Sequence, residues 1–249
     1  MTNKLKYFVG NWKMFGDLKS FNIVNKINKF SKKTKNVYKN NKVILCVPST
    51  LIYFYNKKLV SKSISLGAQN CHYNDDYGSF TGSVNAKMLK NMGAEYVIIG
   101  HSENRMEGDT NEIIKKKIKS AIKRKLNVIF CIGETLKEKK GGKTFSSLKR
   151  QIKNSLEKKI NLKKIIFAYE PVWAVGSDKT PKTEELRKII KFIKKNIKLK
   201  KLPKVLYGGS VNSKNMRSFS SISDIDGFLI GRASQSSKKF IDIIKNYYK

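Results

Sequence analysis

Short apolar runs alternate with longer amphipathic stretches from one end of the chain to the other, and this alternation restricts the fold more than any other feature. The runs are residues 7–10, 43–47, 64–68, 96–100, 128–132, 165–169, 205–207 and 228–230. Runs this short, with so few polar interruptions, read as strands buried on both faces. Residues 111–125 and 183–198 read as amphipathic helices, with Leu186, Ile189, Ile190 and Ile193 on one face of the second. Strand and helix in strict alternation imply parallel strands, because each return to the same end of the sheet needs a crossover. Eight such units in 249 residues predict an α/β fold closed into a (β/α)8 barrel, one domain over residues 1–249. No internal repeat or linker divides the chain, and residues 137–143, Lys-Glu-Lys-Lys-Gly-Gly-Lys, read as a solvated connection.

Composition narrows the function classes. The chain has 53 Lys and Arg against 18 Asp and Glu, a formal charge of +35, and such a surface attracts polyanions whatever its shape. Only six of the basic residues are arginines, the side chains that read phosphates and bases with a planar fork. The lysines are spread over nearly every helix without interleaved aromatic platforms, so a solvated coat is expected and no specific nucleic-acid partner. No stretch reaches the ~18 apolar residues of a membrane span, and the first residues lack a signal-type apolar core. A cytoplasmic protein without membrane attachment is expected. Cys46, Cys71 and Cys131 are odd in number, two of them inside apolar runs, which points to reduced thiols rather than disulfides or a metal site.

In a barrel of parallel strands the reactive groups gather where strands end, so the residues after each run belong together. Asn11 and Lys13 follow the first, and extended geometry would point both the same way. His101 and Glu103 follow the fourth, and Glu170 follows the sixth, with Pro171 biasing it toward extended backbone. A carboxylate set among apolar residues such as Val172 and Trp173 is costly to bury and becomes a stronger base, as a general base must be. Gly208-Gly209-Ser210 and Gly231-Arg232 follow the seventh and eighth, where backbone N–H groups often cradle phosphate. Each signal has a plainer reading: a solvated lysine, a structural histidine, an ordinary turn. Compatible groups at five of eight strand ends are harder to dismiss.

Seven motifs carry a specific resemblance: Gly10-Asn11-Trp12-Lys13-Met14, Gly67-Ala68-Gln69-Asn70, Gly100-His101-Ser102-Glu103, Cys131-Ile132-Gly133-Glu134, Tyr169-Glu170-Pro171-Val172-Trp173-Ala174, Tyr207-Gly208-Gly209-Ser210-Val211 and Asp226-Gly227-Phe228-Leu229-Ile230-Gly231. They are similar to those of triosephosphate isomerases and run in that family's order over nearly the whole chain. The resemblance implies interconversion of dihydroxyacetone phosphate and D-glyceraldehyde 3-phosphate through an enediolate, with no metal and no organic cofactor. By resemblance, Glu170 shuttles the proton, neutral His101 polarises the carbonyl, and Asn11 and Lys13 stabilise substrate oxygens; this family is itself the usual illustration of that division of labour. Glu103 and Cys131 would support them from behind. Gly176, Ser210, Gly231 and Arg232 would hold the phosphate, and residues 171–180 would form a lid that presses Val175 and Leu229 around Glu170. A homodimer is also implied. Two other readings share part of the pattern: another sugar-phosphate enzyme on the same barrel, and a non-catalytic polyanion-binding protein. Neither accounts for Asn11, Lys13, His101 and Glu170 together.

The chain departs from the family pattern in places. Arg232 stands where a second glycine is usual, and its guanidinium is expected to point outward while its N–H still serves. Asp178 replaces a lid glycine. Pro181 replaces a hinge alanine, which removes the amide that would bond the hydroxyl corresponding to Tyr207. Ser83 and Asn104 replace a glutamate and an arginine that pair across the dimer, whereas Thr81 is retained.

Overall fold

The computed structural model describes residues 4–38, 40–177, 179–197 and 202–249; Asp178 and Lys198 lie outside them. Eight parallel strands close in sequence order: β1 (Lys6–Asn11), β2 (Asn41–Cys46), β3 (Ser65–Ala68), β4 (Tyr96–Ile99), β5 (Asn127–Ile132), β6 (Ile165–Tyr169), β7 (Lys204–Tyr207) and β8 (Gly227–Ile230). Closure is made by β1 against β8, in register from Tyr7↔Gly227 to Gly10↔Ile230. Every expected run lies on one of these strands, its ends moved by a residue or two. The helices are α1 (Phe21–Lys33), α2 (Ser49–Lys58), α3 (Ala86–Asn91), α4 (Ser102–Met106), α5 (Asn111–Lys123), α6 (Leu136–Lys140), α7 (Thr144–Ser155), α8 (Thr183–Asn196), α9 (Met216–Ser220) and α10 (Ser237–Tyr247). This is the single-domain TIM-barrel architecture.

Strand periodicity divides the core into two layers. Val9, Ile44, Ile98, Ile129, Ile166 and Leu206 fill the barrel interior. Phe8, Val43, Val97, Phe130, Phe167 and Val205 face outward and pack in one continuous cluster with helix residues such as Ile118, Ile190 and Ile243. Each such side chain contributes about 1.5–3 kcal/mol by leaving water. α8 buries the expected Leu186, Ile189, Ile190 and Ile193, carries Glu184 and Glu185 in its first turn and Lys194 and Lys195 in its last, and so opposes no charge to its own dipole. Opposite the strands' C-terminal ends, Lys194 pairs with buried Asp226 at 2.6 Å, and Asp226 also accepts the Val205 N–H at 2.9 Å.

One local expectation needs correcting. Residues 137–143 are not simply a connection, because α6 occupies most of them. Thr135 and Glu138 form a reciprocal capping box, Thr135 Oγ1 accepting from Glu138 N–H at 3.2 Å and Glu138 Oε2 accepting from Thr135 N–H at 2.9 Å. That pair satisfies two otherwise orphaned N–H groups, enough to start a helix whose run of like charges alone would not favour it.

Candidate active site

The period of two that builds the barrel also delivers Glu170 to its mouth. Ile166 and Ala168 point inward on β6, so Glu170 is the next inward position, one residue past the strand's end. Its N–H donates to Ile132 O at 2.8 Å, which extends the β5–β6 register and fixes the direction of the side chain. The carboxylate is 3% exposed, its Oε1 lies 3.5 Å from His101 Nε2, and its Oε2 has no hydrogen-bond partner among the described residues. Gly208 makes room for it: a Cβ there would lie 2.6 Å from Glu170 Cγ. Gly133 is needed as much on the other side, since a Cβ would stand 1.8 Å from Glu170 O. Cys131 lies beside the carboxylate, and burial together with the charge of Glu170 pushes its thiol well above the ordinary range, so it faces Glu170 as a neutral S–H group.

His101 and Lys13 reach the same place by routes that strand alternation does not describe. β4 ends at Ile99, and His101 caps the N-terminus of α4, its Nδ1 accepting the Glu103 N–H at 3.2 Å. With Nδ1 engaged as acceptor, a neutral ring carries its proton on Nε2, the nitrogen that faces Glu170. Glu103 therefore comes round on the first turn of α4, and Oε1 meets Lys13 Nζ at 2.5 Å. Lys13 itself has left β1 and sits at φ 56°, a left-handed conformation that costs a non-glycine residue about 1–3 kcal/mol. Three contacts hold that loop: Gln69 Nε2 donates to Lys13 O at 2.9 Å, Gln235 Nε2 to Trp12 O at 2.8 Å, and Trp12 Nε1 to Ser234 O at 3.0 Å.

Asn11, Lys13, His101 and Glu170 line one cavity of about 750 Å³ together with Gly176, Ser210, Gly231 and Arg232. All eight expected catalytic and phosphate-binding positions thus meet, and the two supporting ones stand where they can act, Glu103 on Lys13 and Cys131 beside Glu170. Gly176, at the tip of the lid segment, has φ 68° and is exposed, a backbone conformation that favours glycine. Arg232 is exposed at the start of a 3-10 turn, Arg232–Gln235, and its φ is not positive, so no glycine is required there. Pro181 is buried, and the Tyr207 hydroxyl is buried without a hydrogen-bond partner among the described residues. The Asp178 departure falls outside the described residues.

Three further residues shape the site without having been singled out by the strand-end reading: Gln69, Gln235 and Glu134. Glu134 is fully buried, and its Oε1 accepts from Tyr169 O–H at 3.1 Å and from Trp173 Nε1–H at 2.8 Å. Its carbonyl also takes the Val172 N–H at 3.0 Å. Burial raises its carboxyl above the ordinary value, with Trp173 and Tyr169 pulling the other way. It is the fixed post from which residues 171–174 start. Gln69 and Glu134 directly follow the third and fifth strands or their turns, so the strand-end rule applied to all eight strands would have found them.

The model of the family described as triosephosphate isomerase matches residues 6–247. A curated triosephosphate isomerase of Alkaliphilus oremlandii is 38% identical over 245 residues, covering 94% of this chain and 96% of its own. That of Aquifex aeolicus is 36% identical over 249 residues, covering 97% of this chain and 99% of its own. The crystal structure of triosephosphate isomerase from Bartonella henselae superposes with a TM-score of 0.87 at 34% identity, covering 98% of this chain and 99% of that one. With matches that span nearly the whole barrel, the chain belongs to the triosephosphate isomerase family.

Proposed function

We propose that this chain interconverts dihydroxyacetone phosphate and D-glyceraldehyde 3-phosphate by proton transfer through an enediolate, with neither metal nor organic cofactor. The observation that carries the reading is a buried carboxylate with one free oxygen, Glu170, opening on a cavity that also presents His101, Lys13 and Asn11. A buried acceptor left unpartnered is costly unless a ligand completes it.

The backbone N–H groups of Gly176, Ser210, Gly231 and Arg232 would take the phosphate, which sets the carbon skeleton over Glu170. Its carboxylate removes a proton from the hydroxymethyl carbon while the Nε2–H of His101 donates to the carbonyl oxygen. Lys13, held at 2.5 Å from Glu103, places a fixed positive charge beside the developing enediolate. His101 relays the hydroxyl proton from the first oxygen to the second, and Glu170 returns its proton to the adjacent carbon, so that the first carbon becomes the aldehyde. Closure of residues 171–180 would exclude water and protect the enediolate. The experiment is a coupled assay of the purified chain on glyceraldehyde 3-phosphate; absence of turnover above the uncatalysed rate would refute the reading.

The working unit is inferred to be a homodimer in the cytoplasm, each copy one domain over residues 1–249. A second hollow of about 510 Å³ opens beside Lys13, lined by Met14, Gln69, Cys71, His72, Ser83 and Lys117 among others. Residues 76–83 project into solvent with Tyr77 and Phe80 exposed, and Met14 is fully exposed. A partner's loop seated in that hollow would cover all of these and brace Lys13. The three cysteines are free and buried, which suits a reducing compartment. No helix among the described residues is long and apolar enough to cross a membrane.

A further inference from the structure

The cavity that holds Glu170 is larger than a three-carbon phosphate fills. At about 750 Å³ it lies in the upper part of the range, about 300–1,000 Å³, that encloses much bigger ligands. Beyond the phosphate loops the same cavity is lined by Lys214, Arg232 and Lys239. Against these cations the lining offers, among the described residues, a single carboxylate, Glu170. Lys13 is ion-paired with Glu103, but Lys214, Arg232 and Lys239 have no ion-pair partner among the described residues. Carboxylates are scarce on this chain, yet elsewhere several lysines facing hollows do find one, as Lys117 finds Asp109 at 2.7 Å.

The backbone that carries two of these cations, Lys214 and Lys239, is braced. Asn212 and Asn215 bond reciprocally beneath Lys214: Asn212 Oδ1 accepts the N–H groups of Lys214 and Asn215 at 2.9 and 3.1 Å, and Asn215 Oδ1 accepts that of Asn212 at 2.9 Å. Asn215 Nδ2 donates to Ser210 O at 3.0 Å, tying this turn to the phosphate loop. Lys239 rides on α10, which is anchored by buried Phe240, Ile243 and Ile244. Like charges that line one cavity without counter-ions raise the local potential, and an anion bound among them relieves it.

We propose that these three cations form a second anion subsite, so that the cleft takes a bisphosphate, with one phosphoryl group in the substrate cradle and the other on Lys214, Arg232 and Lys239. Such a ligand blocks access to Glu170 and inhibits turnover in competition with the substrate. The inference rests on the phosphate cradle assigned under the proposed function.

The test compares a linear alkanediol bisphosphate with the alkyl monophosphate of the same chain length, at constant ionic strength, by calorimetry and as inhibitors of turnover. Expected is binding of the bisphosphate at least about tenfold tighter than the monophosphate, as two linked contacts allow. In the Lys214→Ala/Lys239→Ala variant that preference falls to about twofold, the factor for having two equivalent ends, while the KM for glyceraldehyde 3-phosphate stays unchanged. A Lys32→Ala/Lys33→Ala control removes the same charge from the end of α1, at the opposite end of the barrel, and keeps the preference. Equal affinities in the unaltered chain, survival of the preference in the Lys214/Lys239 variant, or its equal loss in the control would each overturn the subsite. Tight bisphosphate binding without turnover would instead overturn the isomerase reading and leave the subsite standing.

Discussion

At the scale of single residues, Glu170 combines the two properties that mark chemistry over structure: burial and an oxygen without a partner among the described residues. Glu170→Gln keeps the shape but cannot accept the proton, so turnover falls by about 10²- to 10⁴-fold while substrate affinity by calorimetry changes little. Near-normal turnover of that variant would remove the assignment. The Tyr207 hydroxyl tells the opposite story, because it is buried with no partner among the described residues, and Pro181 at the end of the lid has no N–H to offer it. Tyr207→Phe is therefore expected to lower kcat by less than about tenfold and to leave stability equal or slightly improved, since an unsatisfied hydroxyl contributes nothing by being buried. Stopped-flow measurement of lid closure, together with urea unfolding, checks both parts, and a large loss of closure would contradict them. Asn11 and Glu170 were legible as inward strand-end positions. The conformation of Lys13 was not, because a left-handed lysine leaves no mark in composition or spacing and is imposed by Gln69 and Gln235 from distant elements.

At the scale of elements, the start of the lid depends on Glu134, which ties β6 through Tyr169 to the first turn of the lid through Trp173. Lys139 on α6 covers the Trp173 ring at 3.7 Å, so that helix also guards the hinge. Because burial raises the Glu134 carboxyl, the folded chain holds that proton more tightly than the unfolded chain does. Its contribution to stability is then fully present below the unfolded value and is lost as pH rises through the folded one. Glu134→Gln keeps an acceptor for both donors and cannot ionise. Urea unfolding between about pH 4 and about pH 7 should show a shallower fall in stability with pH for this variant than for the unaltered chain. An unchanged slope would show that Glu134 is not a source of it. The strands and long helices were legible because their apolar periods are strong. α6 was not, since its charges suggested a solvated loop while the decisive signal was the capping pair Thr135 and Glu138.

At the scale of the molecule, the +35 charge acts on association. Two copies repel through solvent, and Ser83 and Asn104 supply no ion pair to offset it, so the dimer is expected to strengthen as salt rises from about 0.05 M to about 0.5 M. Sedimentation velocity measures this, and a fully active monomer at every salt concentration would reject the dimer. The lysine coat should bind duplex DNA weakly, with affinity falling steeply in salt and without preference among sequences; a large specificity ratio in a binding titration would contradict that. The sequence by itself determined the barrel, its two layers and the strand ends that carry the polar groups, because these follow from local periodicity and from the few ways parallel strands can close. Only the tertiary structure decided the left-handed Lys13, the proton position on His101, the room that Gly208 and Gly133 leave for Glu170, and the shared cavity of Lys214, Arg232 and Lys239. Most of those are contacts between residues far apart in the chain, and no local pattern encodes the distance that folding brings to zero.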